Sequence, residues 1–237
     1  MSGAELVIIA TVIVVASCLQ GAIGFGLGLM AAPVIALIDP TLLPGSLVLL
    51  AAGATTLGVI RDRTTINFAG AGWALLGRVP GTALGALLVV ILPARGLALT
   101  LAGAVLFGVM LSICGWRPKP RPLTVAAAGA ASGILGTATS IGGPPMALVW
   151  HGSSKSQMRG TMSAFFLVGA IMSLTALAWV GALDHRTLIF AALLAPAMIL
   201  GFALSRILNR RLNRRRIRHV ALSASTLGAI LVLLQAL

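Results

Sequence analysis

The sequence predicts an all-α, polytopic membrane protein built from two related halves. Of its 237 residues, 59% are hydrophobic and only 9% are charged, a composition far more apolar than that of an ordinary soluble domain. Runs of about 20 apolar residues recur along the chain, and each is long enough to cross a bilayer as a helix. A glycine-rich stretch also occurs twice, once in each half of the chain.

Eight apolar segments account for nearly the whole chain. The first and fifth are too long for one straight span, because a helix of about 30 residues measures about 45 Å and the hydrocarbon core only about 30 Å. We expect each of these two to be a broken helix or a re-entrant hairpin of two short helices. The segments run over 5–38, 44–60, 65–93, 96–115, 123–150, 158–181, 187–208 and 217–236.

The repeated stretch lies in the first and fifth segments. Gln20 begins the first copy, and Ser132 begins the second copy 112 residues later. Weaker matches follow in the same order, and their shared order predicts a duplication of four segments. The matched stretches are 20–26 with 132–138, Pro33 with Pro145, and 80–85 with 196–201. The predicted 4+4 repeats are residues 1–116 and 117–237.

The placement of the basic residues favours a topology in which the two halves are inverted. The loop 206–218 holds seven arginines, so the positive-inside rule places it in the cytoplasm. If all eight segments cross, ten basic residues are cytoplasmic and six external. If the first and fifth segments return to their own side, the numbers become fourteen and two, and each half crosses the membrane an odd number of times. We expect this second arrangement, with both breaks near the midplane.

The two breaks are the predicted binding site. Paired helix breaks in corresponding positions of two halves are typical of transporter sites. The second half of a broken helix begins with unpaired N–H groups and about half a positive charge, which attract an anion. The alternative is that these small residues only pack helices together. The candidate ligand-binding residues at the breaks are Gln20, Gly24, Phe25, Gly26, Thr137, Thr139, Ser140, Gly142 and Gly143.

Two arginines complete the set of candidates. Arg78 is the only charged residue deep inside a segment, and an intramembrane arginine is costly enough to suggest a function. It could neutralise an anion, bind carbonyls freed by Pro80, or lie near an interface if its segment begins later. Arg159 follows the second hairpin, either at the cytoplasmic mouth of a pathway or as a positive-inside anchor.

Several other classes of function find little support in the sequence. The net charge of +13 could indicate nucleic acid, but the basic residues lie at segment ends without interleaved aromatic residues, so we expect no nucleic-acid partner. No cluster of His, Cys or acidic residues predicts a metal site, no motif predicts a cofactor, and no nucleophilic triad predicts an enzyme. Both cysteines lie in apolar segments and predict no disulfide framework.

The chain resembles the sulfite exporter TauE/SafE family of membrane permeases. The resemblance rests on the first break, 21–28, on the second break from Gly133 to Pro145 followed by 159–161, and on the duplication. It implies a multi-pass protein of the cell inner membrane that exports sulfite, a small organosulfonate or a related small sulfur-containing anion. The alternative is an uptake permease or channel for another small anion or solute. The expected partners are that anion and the lipid bilayer, and a homodimer is left open.

Overall fold

The protein is all-α, as predicted. A computed structural model describes residues 2–113, 118–211 and 214–236, and it contains helices and short 3-10 turns but no strand within those ranges. The predicted boundary between the halves, at 116/117, falls on residues outside the described ranges. The helices are α1 (Gly3–Ile23), α2 (Leu27–Ile38), α3 (Gly45–Asp62), α4 (Phe68–Ile91), α5 (Ala94–Ile113), α6 (Pro122–Thr139), α7 (Gly143–Val149), α8 (Lys155–Trp179), α9 (His185–Arg211) and α10 (Arg214–Ala236).

Six of the described helices are long and apolar enough to cross a membrane. These are α1, α3, α4, α5, α8 and α9, with α3 counted together with the 3-10 turn that follows it. Their outward faces carry large apolar side chains, such as Trp73, Leu76 and Val79 on α4. A surface this apolar needs lipid around it. The chain therefore has the architecture of a polytopic membrane protein.

Both of the long segments are broken, and the breaks fall at the glycine-rich stretches. The first break separates α1 from α2 at residues 24–26, where Gly24 and Gly26 have φ of 90° and 123°. Only glycine adopts such values without a steric cost. The second break separates α6 from α7 at residues 140–142, where Ser140 takes the left-handed conformation with φ of 63°. Pro33 lies inside α2 and does not take part in the break.

The ends of α9 and α10 differ from the predicted loop. The sequence predicts a loop over 206–218, but α9 continues to Arg211 and α10 begins at Arg214. Arginine is a good helix former, so helices extend past the apolar stretches that the segments were drawn from. Leu212 and Asn213 lie outside the described residues.

Two helix pairs pack unusually closely through glycines. A Cβ on Gly77 or Gly81 of α4 would overlap the carbonyl oxygen of Ala126 or Ala130 of α6. The two helices therefore run parallel with their backbones in contact, as small residues allow in membranes. Helix α9 packs along α1 in the same way, since a Cβ on Gly201 would overlap the Val14 carbonyl.

Helix α3 connects the halves by packing antiparallel to α8. Near the end of α3, Asp62 forms an ion pair with Arg159 in the first turns of α8. Near the start of α3, Val48 packs with Leu177 at the far end of α8. The core therefore consists of side chains from both halves.

Candidate functional site

The two helix breaks touch each other inside the protein. The ring of Phe25, from the first break, packs against the backbone of Gly143 at the start of α7. Gly28, in the first turn of α2, lies so close to the carbonyl group of Ser140 that a Cβ would overlap it. Neither contact leaves room for a larger side chain at the glycine. The breaks are therefore close enough for one small ligand to contact both.

A cavity of about 50 Å³ lies between the breaks. A single water needs roughly 10–15 Å³ of such space, so the cavity holds a few waters or one small oxyanion. Its wall is mostly glycine backbone and apolar side chains. It is lined by Gln20, Phe25, Gly26, Leu27, Gly28, Leu29, Val48, Ala51, Arg78, Gly136, Ser140, Ile141, Gly142, Gly143, Phe166 and Ala170.

Arg78 contributes the only charged side chain to this wall. It is the eleventh residue of the 24-residue helix α4, near the middle of the span, and its side chain is only 3% exposed. This position excludes the interpretation that Arg78 lies near the end of its helix. Its guanidinium group reaches across to α6 and α8.

The guanidinium of Arg78 is held by weak contacts that leave its charge uncompensated. Its Nη1 donates to the Ser132 hydroxyl at 3.2 Å, and its Nη2 to the Ser173 hydroxyl at 3.5 Å. Its Cζ lies 4.9 Å and 5.7 Å from the ring centroids of Phe165 and Phe166. The Nε–H has no hydrogen-bond partner among the described residues. None of the four acidic residues of the chain, all of which are described, forms an ion pair with it.

Glycines make room for this side chain. A Cβ on Gly169 of α8 would overlap the Nε and Cζ of Arg78, and a Cβ on Gly136 of α6 would lie 3.2 Å from its Nη2. An alanine at Gly169 therefore cannot coexist with the present position of the guanidinium. The sequence positions of these two glycines, on different helices, give no indication of this role.

Gln20 and Ser132 occupy corresponding places in the repeat, and each holds its own break in shape. The Gln20 side chain accepts a hydrogen bond from the Leu27 N–H at 3.2 Å, and its amide nitrogen lies 3.5 Å from the Gly24 carbonyl oxygen. The Ser132 hydroxyl donates to the Gly142 carbonyl at 2.7 Å. Gln20 was predicted to bind a ligand. It lines the cavity, and its side chain also connects the two sides of the break. Ser132 was not predicted, although its match to Gln20 in the repeat is the signal for it.

The predicted hydroxyls of the second repeat are used within the protein. Thr137 shares a 2.8 Å hydrogen bond with Ser173, and Thr139 donates to the Leu135 carbonyl at 2.6 Å. Ser140 lines the cavity with part of its surface, while its hydroxyl donates to the Pro44 carbonyl at 3.0 Å. Thr137 and Thr139 are absent from the cavity wall.

Arg159 belongs to a separate ion-pair network, which lies beside the end of α1 and not at the cavity. It donates two hydrogen bonds to the Asp62 carboxylate, at 2.7 and 2.6 Å. Arg61 binds the same carboxylate, donates to the Gly21 carbonyl at 2.7 Å, and stacks on Phe202. The network thus ties the last turn of α1 to α3, α8 and α9.

The structure brings together seven of the eleven candidate residues around one cavity. These are Gln20, Phe25, Gly26, Arg78, Ser140, Gly142 and Gly143. Gly24 packs against the backbone of Arg159 instead, and neither residue lines the cavity. The sequence interpretation missed Ser132 and Ser173, which bind Arg78, and Phe166, which packs beside it. Across the part of the chain that the structure describes, no group of His, Cys or acidic side chains is arranged to hold a metal.

Comparison with known proteins identifies the family through a single finding. Comparison with curated proteins gives no match, and comparison with solved structures gives none either. A family model described as "Sulfite exporter TauE/SafE" matches residues 9–232, nearly the whole chain. This match agrees with the resemblance seen in the paired glycine breaks and with the membrane-spanning helices. The chain belongs to the sulfite exporter TauE/SafE family, whose members transport sulfite and related sulfur anions across membranes.

Proposed function

We propose that this protein is a permease of the cell inner membrane that exports sulfite or a small organosulfonate, binding it in the cavity between the two helix breaks. The observation that carries the proposal is Arg78: a buried cation on the cavity wall, with no carboxylate partner and one unused N–H donor. The role proposed here is transport and not catalysis.

A buried, unpaired arginine makes physical sense when its counterion is the ligand. Burying a charge without a partner costs several kcal/mol, and the two serines that contact Arg78 are neutral. A bound anion supplies the missing charge and accepts charge-assisted hydrogen bonds, which are the strong ones. The empty site is therefore electrostatically prepared for an anion.

The backbone around the cavity adds to this preference. Gly26 has no side chain to cap α2, and Gln20 accepts a hydrogen bond only from the Leu27 N–H of its first turn. Positive partial charge at the start of that helix is therefore available near the cavity. Gly26 and Gly28 line the cavity without side chains, so a ligand can approach the main chain closely. The partial positive charge and the close approach to the backbone together favour a small anion over a larger solute.

The two halves are inverted repeats in this proposal. Support comes from the packing of whole helices, because Gly77 of α4 meets Ala126 of α6 and Gly201 of α9 meets Val14 of α1. Helix α4 of the first half thus pairs with α6 of the second half as α9 pairs with α1. If a pseudo-two-fold axis relates the two halves, the α4–α6 pair and the α9–α1 pair are equivalent.

Both broken segments are re-entrant hairpins in this proposal, and they enter from opposite faces. Asp39, just after α2, pairs with Arg186 at the start of α9, and the Gly201–Val14 contact puts the start of α1 level with the first turns of α9. Trp150, just after α7, lies against Gly70 at the start of α4. These contacts support hairpins that each end on the side where they began, which is the topology that the positive-inside rule favours.

Export follows from the electrical gradient. An anion leaving the cytoplasm moves downhill in the membrane potential by about 2.3 kcal/mol per charge for each 100 mV. The cavity wall carries no carboxylate that could relay a proton. The proposed export therefore needs no obligatory proton coupling.

Labelled sulfite flux in proteoliposomes under an imposed membrane potential tests the proposal. Wild-type flux should saturate with concentration and follow the potential. The Gly169→Ala variant, which displaces the Arg78 guanidinium, should lose most of the flux. Gly72→Ala is the matched control, because a Cβ on that exposed residue of α4 meets nothing within 4 Å.

Three outcomes decide between this function and its alternatives. Flux that does not saturate would indicate a channel, and flux that is driven only inward would indicate an uptake permease. Equal flux in wild type and Gly169→Ala would remove the cavity from the transport pathway.

A further inference from the structure

We propose that the cavity accepts its ligand as a monoanion, so that the sulfite species it takes is hydrogensulfite, and that it discriminates against oxyanions with two negative charges. This inference rests on the proposed function and specifies the charge of the substrate. It follows from the number of charges in and around the cavity.

The cavity offers one full positive charge, to which the start of α2 adds a partial charge of about half a unit. Of its lining side chains, Arg78 alone is charged, and only Gln20 and Ser140 are otherwise polar. The remaining lining residues are glycines, aliphatic residues, Phe25 and Phe166. No second cation and no carboxylate belongs to the wall.

Two other arginines beside the first break are already neutralised in part. Arg61 and Arg159 both bind the carboxylate of Asp62, with N–O distances of 3.0 and 2.6 Å in the two ion pairs. Arg61 also donates to the Gly21 carbonyl and to the Ser205 hydroxyl. Recruiting either guanidinium to the cavity would require breaking a largely buried ion pair, which is strongly unfavourable.

The positive charge of the cavity fully balances a ligand with one negative charge, whereas a ligand with two leaves the loaded cavity with a net negative charge. That excess charge would lie against apolar side chains, where an uncompensated ion is expensive. The phenyl faces cannot offset it, because the face of an aromatic ring is the negative end of its quadrupole. Charge number therefore discriminates more strongly here than the shape of the oxyanion does.

Sulfite makes this discrimination measurable because it changes charge near neutral pH. Below that point hydrogensulfite carries one negative charge, and above it sulfite carries two. If only the monoanion binds, each pH unit above the transition lowers the apparent affinity for total sulfite about tenfold. Methanesulfonate stays a monoanion and sulfate stays a dianion throughout the same range, so these two ions serve as fixed-charge references.

The experiment is equilibrium binding to the purified full-length protein, one pH unit below and one above neutrality, with oxygen excluded so that sulfite is not oxidised. Radiolabelled sulfite is the ligand, and methanesulfonate and sulfate are competitors. We expect sulfite affinity to fall severalfold or more at the higher pH, methanesulfonate affinity to stay constant, and sulfate to compete at least tenfold more weakly than methanesulfonate. Constant methanesulfonate affinity shows that the protein itself does not cause the pH effect.

The outcomes separate this inference from the proposed function. If sulfate competes as well as methanesulfonate, or if sulfite affinity is unchanged or rises at the higher pH, the preference for a monoanion is wrong. If Arg78→Gln weakens binding about a hundredfold in that case, the anion site itself stands. If none of the three anions binds to folded wild-type protein, the proposed function falls and this inference falls with it.

Discussion

Replacing Arg78 by glutamine separates a ligand-binding role from a structural one. Glutamine removes the positive charge but keeps an amide that can donate to Ser132 or Ser173, the two hydroxyls that now contact the guanidinium. If Arg78 binds the transported anion, the variant should lose substrate affinity while the fold stays intact. If Arg78 only holds helices together, the variant should lose stability first.

The size of both effects follows from the surroundings of the side chain. Two unit charges about 4 Å apart attract by about 4 kcal/mol at an effective dielectric constant of 20. The glutamine amide recovers about 1 kcal/mol through a neutral hydrogen bond. The remaining loss of about 3 kcal/mol corresponds to an affinity about a hundredfold weaker.

The stability of the ligand-free protein should change little. An arginine at the centre of a membrane helix costs about 2.5–3.5 kcal/mol, and most of that cost disappears in Arg78→Gln because a neutral amide is less costly to bury than a charge. The variant loses contacts with the faces of Phe165 and Phe166, each worth about 1 kcal/mol. It also loses the two hydrogen bonds to serine, which at 3.2 and 3.5 Å are long. These contributions nearly cancel, so we expect a thermal stability at or slightly above that of the wild type.

The assay pairs the concentration dependence of sulfite flux with thermal unfolding of the same preparations in detergent. Arg78→Lys is the useful companion, since it keeps the charge but loses the planar fork of donors, and its affinity should fall between the other two. A variant Arg78→Gln with wild-type flux and lowered stability would refute the reasoning. It would show that Arg78 is a structural clamp between α4, α6 and α8.

Three further predictions test neighbouring features. Asp62→Asn leaves the mostly buried Arg61 and Arg159 without their carboxylate. The stability, measured by thermal unfolding, should therefore fall by about 3 kcal/mol, and an unchanged melting temperature would contradict this. Ser132→Ala removes the hydroxyl that links the Arg78 guanidinium to the Gly142 carbonyl. The substrate affinity should fall about tenfold, equivalent to about 1.4 kcal/mol. If the variant's flux reaches half of its maximum at the same substrate concentration as in the wild type, this hydroxyl does not support binding. Arg186→Ala removes an ion pair whose arginine is 60% exposed, so stability and flux should both stay near those of the wild type. A large loss of either would contradict the surface role of this ion pair.

The helix breaks could be predicted from the sequence because their cause is local. Gly24 and Gly26 adopt backbone conformations that other residues avoid, and glycine clusters inside apolar segments are visible without any knowledge of the fold. Arg78 could be predicted for a similar reason, since a charge in the middle of an apolar segment is costly wherever the helix packs. Each of these features depends on one stretch of chain.

The residues that surround Arg78 could not be predicted, because they come from other helices. Ser173 and Phe166 lie on α8, and Ser132 lies on α6. These helices are apolar around most of their circumference, so their sequences give no clear indication of which face points inward. Among small and hydroxyl residues that pack everywhere in membrane helices, only tertiary contacts distinguish Ser173 from its neighbours.

The partner of Arg159 was missed for the same physical reason. Asp62 lies 97 residues earlier in the chain, just after the predicted segment 44–60, and nothing in the sequence pairs it with Arg159. The antiparallel packing of α3 against α8 brings the two side chains together. Once this contact is known, a role for Arg159 in tying the first break to both halves is better supported than a direct contact with the ligand.

Arg61 and Arg78 both stack on phenylalanine rings near the helix breaks, but only the charge of Arg61 is matched by a carboxylate. Arg61 stacks on Phe202 and binds Asp62, so its charge is matched within the protein. Arg78 stacks on Phe165 in a comparable setting, but it lies beside a cavity and receives only hydroxyl partners. A carboxylate beside Arg78 would lower the cost of burying it and would also compete with any anion for the same guanidinium. The missing carboxylate therefore destabilises the empty protein and leaves the cavity with the one unmatched charge that an anion can neutralise.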